Sequence, residues 1–403
     1  MIVAFEGTRA TLEVPDDPAF LAALAAAASG WSHRLLPDGA DTDVVGSVVA
    51  LGGGAYRITG PDGTETDCPA TSAACGAMVD LVEAMMDEFP AHLFLHCASV
   101  EFAGRLVIFP SRSHAGKSTL VARLACAGRR VFGDDILRLA GDDRDGVALG
   151  IAPRIRLPLP ASASEKFRRQ VVEAITAADD RYAFVQPAGG LHAPFGTSAP
   201  LGAIVLLDRR EGGAAAFGRA HESDILRTLV AQNFALAEPS EALLARLHAL
   251  MQRLPCLVLR YSDLDEAADL LQRSFADWSS LPEPATDMRL PEPAPDDAPV
   301  AAAVSAVEPT VAYLRASGIA LRAVGDELIL AQPASPVIHH LNPIGTAVWA
   351  LLGEPISARQ AAALLAEAYP QVPRAAIEAD VAALFAALAA AGFIHPAPGE
   401  RPG

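Results

Sequence analysis

A chain of 403 residues has room for two or three domains, and 51% hydrophobic residues let it bury a sizeable core. Its formal net charge of −17 argues against a nucleic-acid partner, which calls for a basic surface. No apolar run approaches the roughly 20 residues of a membrane span, and the start of the chain lacks a signal peptide's basic n-region, so the sequence reads as cytoplasmic, without a membrane partner, its oligomeric state open.

In chain order, Phe20–Ala28 reads as a short helix. Val48–Leu51 and Ala55–Ile58 flank Gly52-Gly53-Gly54 as a hairpin. Residues 71–88 place Met78, Leu81, Val82, Met85 and Met86 on one helical face. Leu93–His96, Ser99–Phe102 and Leu106–Phe109 read as strands, Ser118–Ala127 as a helix and Arg130–Phe132 as a strand running into Gly133-Asp134-Asp135. Strand, loop, helix and strand in this order predict an α/β unit of the doubly wound, parallel kind. Leu201–Leu207 and Cys256–Tyr261 continue as strands, with helices at Asp224–Ala235, Glu241–Leu254 and Leu264–Phe275.

Residues 277–309 carry seven acidic residues against one arginine, with scattered prolines and no apolar periodicity, the composition of a poorly ordered linker. Beyond it, Ile319–Val324 and Glu327–Leu330 bracket Gly325-Asp326, a hairpin signal, and Val337–Leu341 is a third strand. Helices follow at Pro343–Leu352, Ser357–Tyr369 and Pro373–Ala390, with Ser357 a candidate N-cap. The expected domains are 1–90, an N-terminal α/β subdomain; 91–276, a catalytic domain; 277–309, the linker; and 310–398, a compact α+β unit. Five scattered cysteines without metal spacing read as free thiols in a reducing compartment.

The chemistry concentrates around a lysine. The chain has only two, Lys117 and Lys166. Lys117 sits in Ser111-Arg112-Ser113-His114-Ala115-Gly116-Lys117-Ser118-Thr119, after an apolar strand and before a helix. Such a loop presents backbone N–H groups and a helix N-terminus to phosphate, the lysine to the β- and γ-phosphates, and a hydroxyl to Mg²⁺. ATP and Mg²⁺ are therefore the expected cofactors, with Ser111, Ser113, His114, Ala115, Gly116, Lys117, Ser118 and Thr119 as nucleotide contacts. Glycine is usual where Ser111 and His114 stand. Asp134 and Asp135, at the end of the next strand, supply one carboxylate for Mg²⁺ and one for the proton of an attacking hydroxyl. His96, alone, is more often structural.

Together, residues 94–139, from Phe94-Leu95-His96-Cys97-Ala98-Ser99-Val100 through Gly116-Lys117-Ser118 to Gly133-Asp134-Asp135, resemble the HPr serine kinase/phosphorylase superfamily, and more weakly so out to residue 276. The resemblance implies a P-loop kinase fold. In it Asp135 is the catalytic base, His96 supports the acceptor and phosphate, Lys117 binds phosphate, and Ser118 with Asp134 holds the metal. The downstream Glu-Ile-Arg-Gly-type signature of the bifunctional members is absent, so the resemblance leaves the reverse phosphorylase activity open. Pro153-Arg154-Ile155-Arg156-Leu157-Pro158 and Lys166 stand there instead, leaving Arg154, Arg156 and Lys166 as candidate phosphate contacts.

Residues 313–395, with Leu341-Asn342-Pro343-Ile344-Gly345-Thr346-Ala347-Val348-Trp349, resemble the PqqD-like family, the RiPP recognition element with a small winged-helix-like fold. That resemblance implies a leader peptide added as a strand at Val337–His340, against the Arg374–Leu388 helix. His339 and His340 read equally well as plain edge-strand residues. The joint expectation is an ATP-dependent kinase for a Ser or Thr hydroxyl of a ribosomally made precursor peptide. A catalytically weak, nucleotide-binding scaffold that presents a peptide and a small-molecule hydroxyl kinase are the alternatives.

Overall fold

A computed structural model of the chain describes residues 1–37, 42–111, 115–160, 162–186, 192–234, 240–284, 286–290, 307–325, 327–332 and 338–398. Among the described residues it is a mixed α/β protein with ten helices and five sheets. It divides into two compact units, one of residues 1–235 and 249–289, the other of 236–248 and 290–403.

The first unit opens with a six-stranded sheet of Ile2–Phe5 (β1), Ala10–Glu13 (β2), His33–Leu36 (β3), Asp43–Gly52 (β4), Ala55–Thr59 (β5) and Glu65–Pro69 (β6), ordered β3-β1-β2-β4-β5-β6. The β4–β5 hairpin turns through Gly52, Gly53 and Gly54, all at positive φ, where only glycine is free of strain. Pro18–Ala27 (α1) starts on Asp17, whose carboxylate accepts the Ala19 and Phe20 N–H groups at 2.9 and 3.1 Å. Ala70–Glu88 (α2) buries Met78, Leu81, Val82 and Met85 in a core shared with Phe20, Leu24 and Trp31.

The rest of this unit is built on a ten-stranded sheet. Its first strands are Leu93–Leu95 (β7), Ala98–Phe102 (β8) and Arg105–Phe109 (β9). Lys117–Cys126 (α3) then crosses to Arg130–Gly133 (β10), and Leu137–Leu139 (β11) and Asp145–Val147 (β12) follow. Arg154–Arg156 (β13), Ile175–Ala178 (β14) and Tyr182–Val185 (β15) form a separate small sheet around Glu165–Ala174 (α4). Ser198–Arg209 (β16), Ala216–Ala220 (β17) and Cys256–Tyr261 (β18) return to the main sheet, with helices Glu222–Ala231 (α5) and Leu264–Ser274 (α7); Ser240–Arg253 (α6), between them in the chain, falls mostly within the second unit.

β9, β16 and β18 run parallel, as a doubly wound unit requires. β8 does not: it pairs antiparallel with both β9 and β10. The sheet is therefore mixed, because Ala103 and Gly104, both at positive φ, fold β8 and β9 into a hairpin. β10 still points the same way as β9, one strand removed, so Asp134 and Asp135 emerge at the end where the loop before α3 leaves β9. Apolar residues of α3, Leu120, Val121 and Leu124, pack on Val100, Val107 and Phe109 beneath that end.

The front of the 277–309 stretch is folded, unlike the linker its composition suggested. Trp278 donates its indole N–H to the Phe102 carbonyl at 2.8 Å, and Asp287–Met288 (β19) pairs with β17. Gly202 and Gly218 leave room for Trp278 and Met288: a methyl at either would come within 2.2 Å of those side chains. Two apolar anchors thus overcome an unfavourable composition. Residues 291–306 lie outside the described residues.

The second unit contains two three-stranded sheets. Ala312–Arg315 (β20) leads to Ala320–Val324 (β21), Glu327–Ala331 (β22), Ile338–Leu341 (β23) and Pro343–Leu351 (α8). After these come Ile356–Ser357 (β24), Ala358–Ala368 (α9), Arg374–Ala390 (α10) and Ile394–Pro396 (β25). Ser357 caps α9 in a full capping box with Gln360, and Asn342 caps α8 ahead of Pro343. Ile377, Val381, Phe385 and Leu388 of α10 join Trp349, Leu365 and Phe393 in one core. Among the described residues no helix is long and apolar enough to cross a membrane.

Candidate active site

The loop from Ser111 to Gly116 begins where β9 ends. Ser111 is buried, and its Oγ accepts the Leu207 N–H of β16 at 3.0 Å. A hydroxyl thus ties the loop to the sheet at a position usually held by glycine. The Lys117 ammonium donates to the Ser111 carbonyl, folding the lysine back across the loop. Burial holds this ammonium below its ordinary pKa, against the opposing pull of Asp135, Cys97 and Asp134.

Gly116 stands at the N-cap of α3 with φ +91°. An added methyl would lie 2.6 Å from the Tyr261 Oη, whose hydroxyl donates to the Ala115 carbonyl at 3.2 Å. Gly116→Ala carries both left-handed strain and this clash, so it is expected to destabilise the fold by about 1–2 kcal/mol in thermal unfolding. Tyr261→Phe should restore only part of the loss, because the backbone strain remains.

The acid pair sits at the end of β10. Gly133 makes this possible, since a methyl there would meet the Ile136 carbonyl oxygen at 2.4 Å. Asp134 is buried; desolvation, and then the charge of Asp135, push its carboxyl up to about 6. The Arg154 backbone N–H donates to Asp134 Oδ2 at 2.9 Å, and the Ser118 hydroxyl hydrogen-bonds the same carboxylate.

Asp135 behaves oppositely. Burial raises its pKa, but hydrogen bonding and charge from His96, with Arg154 and Lys117, outweigh burial and hold the carboxyl below its ordinary value. His96 Nε2 lies 2.7 Å from Asp135 Oδ1, and an Arg154 guanidinium nitrogen 3.4 Å from Oδ2. Two neighbouring carboxylates are thus driven apart: one resists ionising, the other is held ionised.

His96 itself is fixed by residues 232–234, which the sequence suggested would continue the helix from Asp224 but which follow the end of α5 at Ala231. Its N–H donates to the Gln232 carbonyl at 2.7 Å, and its ring stacks on Phe234 with centroids 5.7 Å apart. The segment after α5 adds to β7 through a bridge from Asn233 to Leu95. Arg154 is likewise clamped: its guanidinium donates to Cys75 Sγ and lies 4.7 Å from the Tyr182 ring centroid.

The structure gathers His96, Ser111, Lys117, Ser118, Asp134, Asp135 and Arg154. Arg156 is exposed on β13, and Lys166 is exposed on α4, where its charge acts on Asp265 rather than on the acid pair. Neither joins the cluster. The reason is local: α4 starts on the Ser164 cap and directs Lys166 towards the α7 end of the unit. Thr119 and Gly116 line a separate small cavity with Tyr261 and Arg209. Ser113 and His114 lie outside the described residues.

Among the described residues no three or more His, Cys, Asp or Glu side chains cluster to hold a metal. One hydroxyl and one or two carboxylates do fit Mg²⁺, which keeps waters and phosphate oxygens as its other ligands. The buried Asp134 carboxylate, bonded to the Ser118 hydroxyl, is such an oxygen-donor set. Its electrostatic cost sets a prediction. The folded pKa lies above the unfolded value, so the penalty is absent below about pH 4 and complete above about pH 6. Asp134→Asn is expected to stabilise the protein at pH 8 by about 1–3 kcal/mol, and not at pH 4. Thermal unfolding at the two pH values measures this.

In the second unit β23 is the outer strand of β21-β22-β23. His340 Nε2 lies 2.6 Å from the buried Glu327 Oε2, and the His339 ring is 6.0 Å from that of Phe393. Burial, then His340, lowers the His339 pKa. Val337 and Asp326 lie outside the described residues.

No curated protein matches the chain. One family model does match, that of coenzyme PQQ synthesis protein D (PqqD), over residues 327–394. The match covers β22 to the start of β25, including the outer strand, all three helices and the capping residues described above. Residues 327–394 therefore form a PqqD-like RiPP recognition element domain.

Proposed function

We propose that the chain is an ATP-dependent kinase of the HPr-kinase-like kind, which transfers the γ-phosphoryl group to a Ser or Thr hydroxyl of a ribosomally made precursor peptide held through its leader. The observation that carries this reading is the meeting of Lys117, Ser118, Asp134, Asp135 and His96 at one end of the sheet. PqqD-like domains engage RiPP precursors, and the outer strand β23 offers main-chain groups to an extended leader.

In this account the N-terminus of α3 and the Lys117 ammonium hold the phosphates. Ser118 and Asp134 would hold Mg²⁺, which when bound neutralises charge on the transferring phosphoryl group. The Asp135 carboxylate accepts the proton of the attacking hydroxyl. Its depressed pKa keeps it ready for that proton well below neutrality. His96 aims one carboxylate oxygen through a 2.7 Å contact, and Arg154 restrains the other.

His96→Leu removes an interaction that lowers the Asp135 pKa, leaving burial to raise it. The acid limb of kcat/KM is then expected to move to higher pH, with the alkaline limb unchanged. An acid limb that stays in place would detach His96 from Asp135. The reading as a whole is tested by incubating the protein with ATP, Mg²⁺ and a precursor peptide encoded beside its gene, and following peptide mass.

A further inference from the structure

Beside the acid pair lies a cavity of about 110 Å³. Asp134, Asp135 and Arg154 form one wall and Glu83 of α2 adds a third carboxylate, while the rest of the lining is mostly apolar, with Met78, Val82 and Met86 from α2 and Phe184 and Phe234. The loop residues Lys117 and Ser118 are not among its walls. Among the described residues, the loop and the cavity therefore meet at the carboxylates. Two large apolar side chains at this cavity face water: Val79 is 48% exposed and Phe234 39%.

We propose that this cavity receives an apolar side chain, of leucine or methionine size, adjacent to the accepting hydroxyl in the peptide substrate. The inference rests on the kinase reading for the word substrate, while the pocket itself stands on its walls. The size fits: an apolar cavity of ~150 Å³ takes up a benzene molecule, so one somewhat smaller suits a branched or thioether side chain. The chemistry also fits. A basic residue would have to leave water for a lining that is mostly apolar, and an acidic one would add a fourth carboxylate to Glu83, Asp134 and Asp135. Filling the cavity would also exclude water around the Asp135 carboxylate as it takes the proton. Burying such a side chain gives a preference of roughly ten- to a hundredfold over alanine.

The test reads the pocket without needing transfer. The chain has six methionines, of which Met78 and Met86 line the cavity. The full chain, labelled with ¹³C at the methionine methyls, is titrated with N-acetyl-Ser-Leu-amide and N-acetyl-Leu-Ser-amide, then with the aspartate counterparts. The leucine compounds are expected to shift the Met78 and Met86 signals and leave Met1, Met251 and Met288 in place. The aspartate compounds should shift neither, and Val79→Glu should weaken the leucine response at least tenfold while the bystander signals report an intact fold. Equal responses to leucine and aspartate, no response at Met78 and Met86, or shifts that follow protein concentration instead would each overturn the proposal. A pocket that answers leucine in a protein that never phosphorylates peptide would instead discard the kinase reading alone.

Discussion

Asp135→Asn is expected to lower phosphoryl transfer by about 10²- to 10⁴-fold, the usual contribution of a positioned base, with ATP affinity held within a few-fold. The asparagine keeps the shape and can still bond His96, but it cannot take a proton. The carboxylate it replaces touches His96 through one oxygen and Arg154 through the other. Lys117→Ala differs in kind. It removes the ammonium that crosses the loop to Ser111, and ATP affinity should fall together with turnover. Single-turnover rates at saturating ATP separate the two. If Asp135→Asn transfers phosphate at the wild-type rate, the base lies elsewhere.

Removing the leader from the peptide is the second large effect. Tethering through a second binding site raises apparent affinity by about 10²- to 10⁴-fold without any new contact at the reacting group. The leaderless peptide should therefore lose kcat/KM by that factor, almost wholly through KM. Free leader added in trans should inhibit the full-length peptide competitively and leave the leaderless one untouched. Equal efficiency for both peptides would point to a small-molecule or leader-independent kinase and would remove the PqqD-like domain from the reaction.

The parts of the site that the sequence revealed are those written within short spans. Lys117 and Ser118 follow a strand and open a helix, and Asp134 and Asp135 end the next strand, so local order placed all four. The place of β8, antiparallel between β9 and β10, was hidden because it depends on pairing beyond the local turn at Ala103-Gly104. The partners of the site were hidden for another reason. Phe234 and Gln232 reach His96 by adding to the edge of β7, and Cys75 reaches Arg154 from α2. Each contact spans many dozens of residues and is made by sheet pairing or helix packing, which leave no periodic mark around the residue itself. Lys166 shows the converse: a rare residue type drew attention, yet its neighbour is Asp265. In the second unit, apolar stripes and caps such as Ser357 with Gln360 are local signals, and the elements fell close to where those signals lie.

The central claim is that the cluster around Lys117 and Asp135 moves phosphate onto a peptide that the PqqD-like domain holds. Mass spectrometry of the full-length precursor peptide after incubation with this protein, ATP and Mg²⁺ tests it most directly. The account predicts the mass gain of one phosphate on a Ser or Thr outside the leader, lost with Asp135→Asn. Peptide and ATP both bound, with the peptide mass unchanged, would contradict it.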